Sequence, residues 1–222
     1  MKSALTPGVL IAILIIACWA GSLLFLMNVE VEFTNPLVYI FVLVQMFLYT
    51  GLFITAHDSM HGTVSPNRTL NNIIGQTCTA LFAAFLYKNL YHKHHDHHRH
   101  VHSDQDPDYH NGSFWSWYFK FLKEYITWQQ ILIMAVLFNV LKIWFAEVNL
   151  LLFWVLPSLL STLQLFYFGT WLPHHGEPAN VHQSRSQNKS HLMAFFSCYF
   201  FGYHFEHHDS PGTPWWKLWT LK

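Results

Sequence analysis

The chain has 222 residues, of which 52% are hydrophobic and only 11% charged. A soluble domain usually carries about 25% charged residues, so this composition argues for a membrane protein. The formal net charge is zero with histidine counted neutral, so bulk electrostatics give no basis for nucleic-acid binding or a strongly charged partner.

Lys2 precedes an apolar run from Val9 to Met27. A bilayer core needs roughly 20 helical residues, so the run is long enough to span. No small-x-small site follows cleanly, and it reads as a retained helix, not a cleaved signal. Asn28 to Asn35 is a short polar break with Glu30 and Glu32. Pro36 suits a helix start, where its missing N–H is not needed. Leu37 to Ala56 forms a second span that delivers His57 to the membrane edge.

Ser65-Pro66-Asn67-Arg68 reads as a turn. Ile73 to Tyr87 is apolar but short, a re-entrant or partly inserted helix. Lys88 to His110 is polar and histidine-dense. Phe114 to Trp128 mixes aromatics with Lys120, Lys123 and Glu124, as an amphipathic helix lying in the interface would. Residues 131–145 and 150–172 form the third and fourth spans, joined by a tight turn at Glu147-Val148-Asn149. Lys142 sits near the far end of the third and could snorkel outward. Pro157 should kink the fourth. Cys18, Cys78 and Cys198 lie in apolar surroundings and read as small buried hydrophobes.

The expected fold is an all-α membrane protein, one domain over 1–222. It has four transmembrane helices (about 9–27, 37–56, 131–145 and 150–172), a short re-entrant or interfacial helix and a cytoplasmic histidine-rich cap. Of the twelve Lys and Arg, all but Lys142 fall in the termini and the two central polar regions. The positive-inside rule then turns both termini and the histidines to the cytoplasm, the chain being integral to the inner membrane. This holds only if Ile73 to Tyr87 does not cross.

Three histidine boxes carry the chemistry: His57-x3-His61, His94-x2-His97-His98 and His204-x2-His207-His208. Residues three and four apart share a helix face, so each box can aim two or three imidazoles at one point. Eight nitrogens are too many for one tetrahedral metal but suit a pair. Imidazole alone does not name the metal. A site with open positions fits iron that activates O2, and a zinc or nickel transporter is the rival of another class. His174 is a candidate ninth ligand. Asp58, Asp96 and Glu206 lie within the boxes, where a carboxylate can accept a ligand's second N–H; Asp58 and Glu206 are the candidate catalytic acids. Asp104, Asp106 and Asp108 read as a polar turn or a support for the boxes, with structure favoured. His92, His100, His102 and His175 are read as supporting or solvated. His110, His182 and His191 are ordinary loop residues.

HDSMHG at 57–62, HHDHHRH at 94–100 with the following DQDPDYH, FGTWLPH at 168–174 and GYHFEHHDSPGTPWW at 202–216 together resemble the carotenoid β-ring 4-ketolases. That family is similar to the membrane fatty acid desaturases and hydroxylases, a di-iron superfamily with three histidine boxes. The resemblance runs from about residue 45 onward. It implies a di-iron oxygenase converting β-carotene to echinenone and canthaxanthin, with zeaxanthin-type rings giving astaxanthin. It also implies O2 as co-substrate and electrons from an external reductase through ferredoxin. The implied iron ligands are His57, His61, His94, His97, His98, His204, His207 and His208, although His95 leaves the register of box two open. A carotenoid 3-hydroxylase or acyl-lipid desaturase shares the boxes but should lack the LPH and third-box extensions. Phe82, Phe85, Tyr87, Phe166, Tyr167, Phe168 and Trp171 could wall a slot for an apolar substrate drawn from the lipid.

Overall fold

The computed structural model describes residues 5–176, 178–188 and 190–222. Lys2 and Lys189, two of the positive charges used for orientation, lie outside the described residues. Helix α1 (Pro7–Leu26) opens on an N-cap threonine, Thr6, with proline in the first turn. Its buried residues Ala12, Ile15, Trp19 and Leu26 recur at helical spacing and face α2. Leu10, Ile13, Leu14 and Leu24 stay exposed on the other side, as residues facing lipid would.

Helix α2 (Pro36–Met60) starts on Asn35 and runs four residues past the expected end. His57 is therefore inside the helix, and His61 is its C-cap. Helix α3 (Arg68–Ala83) folds back along the second half of α2. Asn71 Nδ2 donates to the Ser59 carbonyl at 2.7 Å, and Phe82 meets Tyr49 and Phe53 edge-on or tilted at 5.8 and 5.7 Å. Gly75 permits this approach, since a Cβ there would lie 2.1 Å from Ser59 Oγ. The chain reverses at Ala84, in the left-handed region at φ 55°. Helix α4 (Tyr87–His100) then carries the second box back to His61. The segment from Ile73 thus goes down and returns, as box pairing requires.

Helix α5 (Phe114–Tyr125) meets α6 (Trp128–Leu141) at 85°. Here the expected third span is corrected. Helix α6 has 14 residues, too few to cross alone, and the turn falls at Lys142–Phe145. Glu147-Val148-Asn149, expected as a tight turn, is instead the first turn of α7 (Glu147–His174). Asn149 is buried and donates to the carbonyls of Leu26 and Val29, both at 2.7 Å, tying the start of α7 to the end of α1. Lys142 pairs with Glu147 at 2.8 Å. Among the described residues three helices, α1, α2 and α7, are long and apolar enough to cross a membrane, and four spans result if the bent pair counts as one.

Pro157 does not break α7. Proline lacks an N–H and crowds the carbonyl four residues back. The helix answers with a widened, π-type stretch over Leu150–Val155 and a second over Tyr167–Trp171, just before Pro173. Thr50 on α2 binds Ser161 and Gln164 on α7 at 2.8 and 2.6 Å, a polar clasp inside the bundle. Beyond it, α8 (His191–Cys198), α9 (His204–Asp209) and a 3-10 segment, Trp215–Leu221, close over the histidine end.

Candidate metal centre

Each box reaches the same end of the bundle by a different route: α2 brings box one, α4 box two, and α9 box three. They converge as two groups, His57, His61, His94 and His207, and His97, His174, His204 and His208. In each group one nitrogen per residue lies within 4.8 Å of all the others. The nitrogens face one another at short range. Nε2 atoms are 2.7 Å apart for His61 and His94, 3.2 Å for His97 and His208, 2.9 Å for His174 and His204, and 3.0 Å for His204 and His208. Ligands about 2.1 Å from one metal and at right angles lie roughly 3 Å apart, so these separations fit shared ions. His98 belongs to neither group of four; its Nε2 is 3.1 Å from that of His207 and its ring stacks on His208 at 4.2 Å, between the two.

Six of these histidines are almost fully buried, at 1 to 6% exposure. Burial pushes His61 down to about 4, with the charge of His95 adding to it. Burial and then neighbouring imidazoles hold His94, His204, His207 and His208 well below the usual range. Neutral imidazole is the ligating form. His97 goes the other way: burial opposes its charge, but Asp108 and Asp106 outweigh burial and raise it.

His97 Nδ1 donates to Asp106 Oδ1 at 2.9 Å, and His174 Nδ1 donates to the Gln183 carbonyl at 2.9 Å. Each contact fixes the tautomer that frees Nε2 for the group. Among the described residues, His57 Nε2 and His204 Nδ1 are buried without a partner, as atoms awaiting a ligand or an acceptor would be.

Asp106, read from sequence as part of a polar turn, is thus the carboxylate that orients a clustered histidine. The three acids inside the boxes make other contacts. Asp58 accepts the Trp215 backbone N–H at Oδ2, 2.9 Å, and its Oδ1 is 3.6 Å from His57 Nδ1, beyond a hydrogen bond. Glu206 faces Lys222 at 3.5 Å and Asp96 faces Arg99 at 3.3 Å. His95 bonds the Tyr91 carbonyl at 2.8 Å and stacks on Tyr91, leaving His94 to the group. His102 reaches the His174 carbonyl at 2.7 Å. His175 stacks on Trp171, His182 meets Asp209 at 3.2 Å, and His191 meets the Tyr203 hydroxyl at 2.9 Å.

A slot of about 760 Å³, counting its open mouth, ends on His57, His94, His97 and His204. Phe53, Phe82, Phe85, Leu165 and Phe201 form much of its apolar wall. Of the aromatics expected to wall it, Phe82 and Phe85 do; Phe166, Tyr167 and Trp171 instead pack around Phe114. The widened turn of α7 brings Gly169 and Thr170 to the slot, and Gly169 is required there because a Cβ would lie 1.9 Å from the Phe201 ring.

The fatty acid desaturase profile matches residues 34–129 and 122–222, covering all three boxes. The chain belongs to that family. Within it, the chain is 43% identical over 182 residues to a zeaxanthin 4-ketolase of Chlamydomonas reinhardtii, 78% of this chain but only 41% of that longer protein. Identity to β-carotene ketolases of two Paracoccus strains is 41% and 37%, covering 77% and 92% of this chain and 73% and 87% of theirs. No solved structure matches. The chain is thus a member of the desaturase family and a relative of carotenoid ketolases, and the LPH segment and the long third box lie within the matched residues 122–222.

Proposed function

We propose that this desaturase-family chain is a β-carotene 4-ketolase. It oxidises C4 of the β-ionone ring, giving echinenone and then canthaxanthin, and carries zeaxanthin-type rings toward astaxanthin. The observation that supports this best is the meeting of two four-histidine groups with an apolar slot. It occurs in a chain 37 to 43% identical to carotenoid ketolases.

In this reading His57, His61, His94 and His207 hold one iron, and His97, His174, His204 and His208 the other, with His98 between them. Two irons bound there supply the O2 activation that an unactivated C–H bond demands. The protein's own part is placement and exclusion. Asp106 and the Gln183 carbonyl hold two imidazoles in one tautomer. Phe82, Phe85, Leu165 and Phe201 grip an apolar ring and keep water from it. A methylene becomes a ketone by two hydroxylations, each using one O2 and two electrons, and the geminal diol then loses water. Those electrons come from a separate reductase through a ferredoxin-type carrier. The histidine end faces the cytoplasm of the inner membrane, in line with the basic residues gathered on that side.

Expression in aerated, iron-replete cells that make β-carotene tests the reading. The pigment should shift from yellow-orange to orange-red, and chromatography should give 4-keto products. Unchanged β-carotene, or 3-hydroxy products alone, overturns it.

A further inference from the structure

Apart from histidine, the polar residues lining the slot are Asp108, Tyr125, Thr162 and Thr170. The Thr162 hydroxyl is engaged, donating to the Ser158 carbonyl of its own helix at 2.9 Å. Asp108 and Tyr125 stand apart because they come from separate elements, the loop after α4 and the end of α5. The Tyr125 hydroxyl donates to Asp108 Oδ1. The Asp108 side chain is only 12% exposed. No donor among the described residues reaches Oδ2, which lies 3.9 Å from His97 Nδ1, and that nitrogen's proton already goes to Asp106 at 2.9 Å.

This carboxylate is held firmly. Its backbone N–H donates to Asp106 Oδ1 at 2.9 Å, and its carbonyl accepts from Trp117 Nε1. Lys120 Nζ donates to the flanking carbonyls of Pro107 and Tyr109, at 3.1 and 2.8 Å. The slot therefore presents a fixed acceptor oxygen, beside the histidines, in a wall that is mostly apolar. Such an oxygen is costly to leave without a donor.

A ring methylene cannot become a ketone without first becoming an alcohol, and an alcohol brings an O–H. We propose that Asp108, held by Tyr125, accepts a hydrogen bond from a secondary hydroxyl on the saturated edge of the bound ring. That bond keeps the half-oxidised ring in the slot with its remaining C–H turned toward the histidine groups. The hydroxyl has two sources: C4, midway through the reaction, or C3 of a ring hydroxylated beforehand. A ring with no hydroxyl leaves the Asp108–Tyr125 pair bonded to itself. The inference rests on the ketolase reading.

The test uses Asp108→Asn and Tyr125→Phe in the full chain, in membranes. With β-carotene, wild type should release mainly ketone. Asp108→Asn should raise the 4-alcohol to 4-ketone ratio about tenfold, the effect of one lost charge-assisted hydrogen bond, and Tyr125→Phe should raise it less. If the C3 hydroxyl is the partner, kcat/KM for a 3-hydroxylated ring falls about tenfold more than for β-carotene in Asp108→Asn. Binding to chelator-treated, metal-free protein, read by tryptophan fluorescence quenching, should weaken for 4-hydroxy-β-carotene in both variants and stay unchanged for β-carotene. Support of His97 alone predicts that Asp108→Asn behaves like Asp106→Asn, with less total product at an unchanged ratio. That result, with unchanged alcohol affinity, overturns the proposal. If Asp108→Asn fails to accumulate, Tyr125→Phe decides by the same two readouts. If wild type forms no ketone, the ketolase reading falls, and alcohol binding still decides this one.

Discussion

The backbone N–H of Trp215 donates to Asp58 Oδ2 at 2.9 Å, joining residues 157 apart in sequence. Asp58 sits one residue after the first histidine of box one, and Trp215 follows box three by seven residues. One carboxylate thus fastens the C-terminal tail over the site. Both groups are buried, so the bond is shielded from water. Asp58→Asn keeps an acceptor and should retain most activity. Asp58→Ala leaves a buried N–H unpaired and should cost about 1–3 kcal/mol, seen as a lower thermal midpoint in detergent. Equal midpoints for the two variants would dismiss this role.

His207 lies in the group with His57, His61 and His94. His207→Ala should remove ketone product and lower iron per chain, while the protein still fractionates with membranes. Iron analysis of the purified variant checks it, and retained activity with full iron would contradict the assignment.

Asp106→Asn keeps the shape but weakens the hold on the His97 Nδ1–H. Loss of such an orienting partner typically costs 10–100-fold in metal affinity or activity. Titration of metal-free protein with ferrous iron should show that loss, and unchanged affinity would refute it.

Gly169→Ala would place a methyl 1.9 Å from the Phe201 ring, which itself packs on His57. Overpacking of this kind costs about 1–3 kcal/mol. Ketone yield and thermal midpoint should both fall, and Phe201→Leu in the same chain should restore part of each.

Acid should unfold the metal-free protein in a defined window. His61 has a folded value of about 4 against an ordinary 6.5, and His94, His204, His207 and His208 are also lowered. Below 6.5 the unfolded chain takes up protons that the folded chain refuses, so stability falls with pH and levels off once the folded groups titrate, near 4 for His61. His97, raised by its carboxylates, works against this trend. Melting curves of chelated protein between those pH values should slope downward on acidification, and flat curves would contradict it.

Much of this was legible in the sequence because histidine clusters and long apolar runs are local signals. Helices α1, α2 and α7 follow from uninterrupted hydropathy, and convergence of the boxes follows once the segment from Ile73 is too short to cross. The misread parts depend on tertiary contact. Glu147 to Asn149 looks like a turn by polarity, yet Asn149 is buried against Leu26 and Val29 and starts a helix. Helix α6 counts toward a crossing only if it and α5, bent at 85°, form one span, and no local signal marks that bend. Asp106 reaches His97 through a loop in which His102 has φ 64°, and no periodicity marks that return. Glu206 shares a box with three histidines, and its pairing with Lys222 at 3.5 Å is likewise a long-range contact that the box does not announce.

The return of α3 along α2 bears on biogenesis. Among the described residues, all the candidate spans precede Tyr203, so a chain made as far as Tyr203 has every one of them while His204, His207 and His208 are still unmade. At that stage each four-histidine group is incomplete, one lacking His207 and the other both His204 and His208. A metal held by either whole group would therefore enter only after box three is made. A chain arrested before box three would carry all those spans and yet be chemically inert.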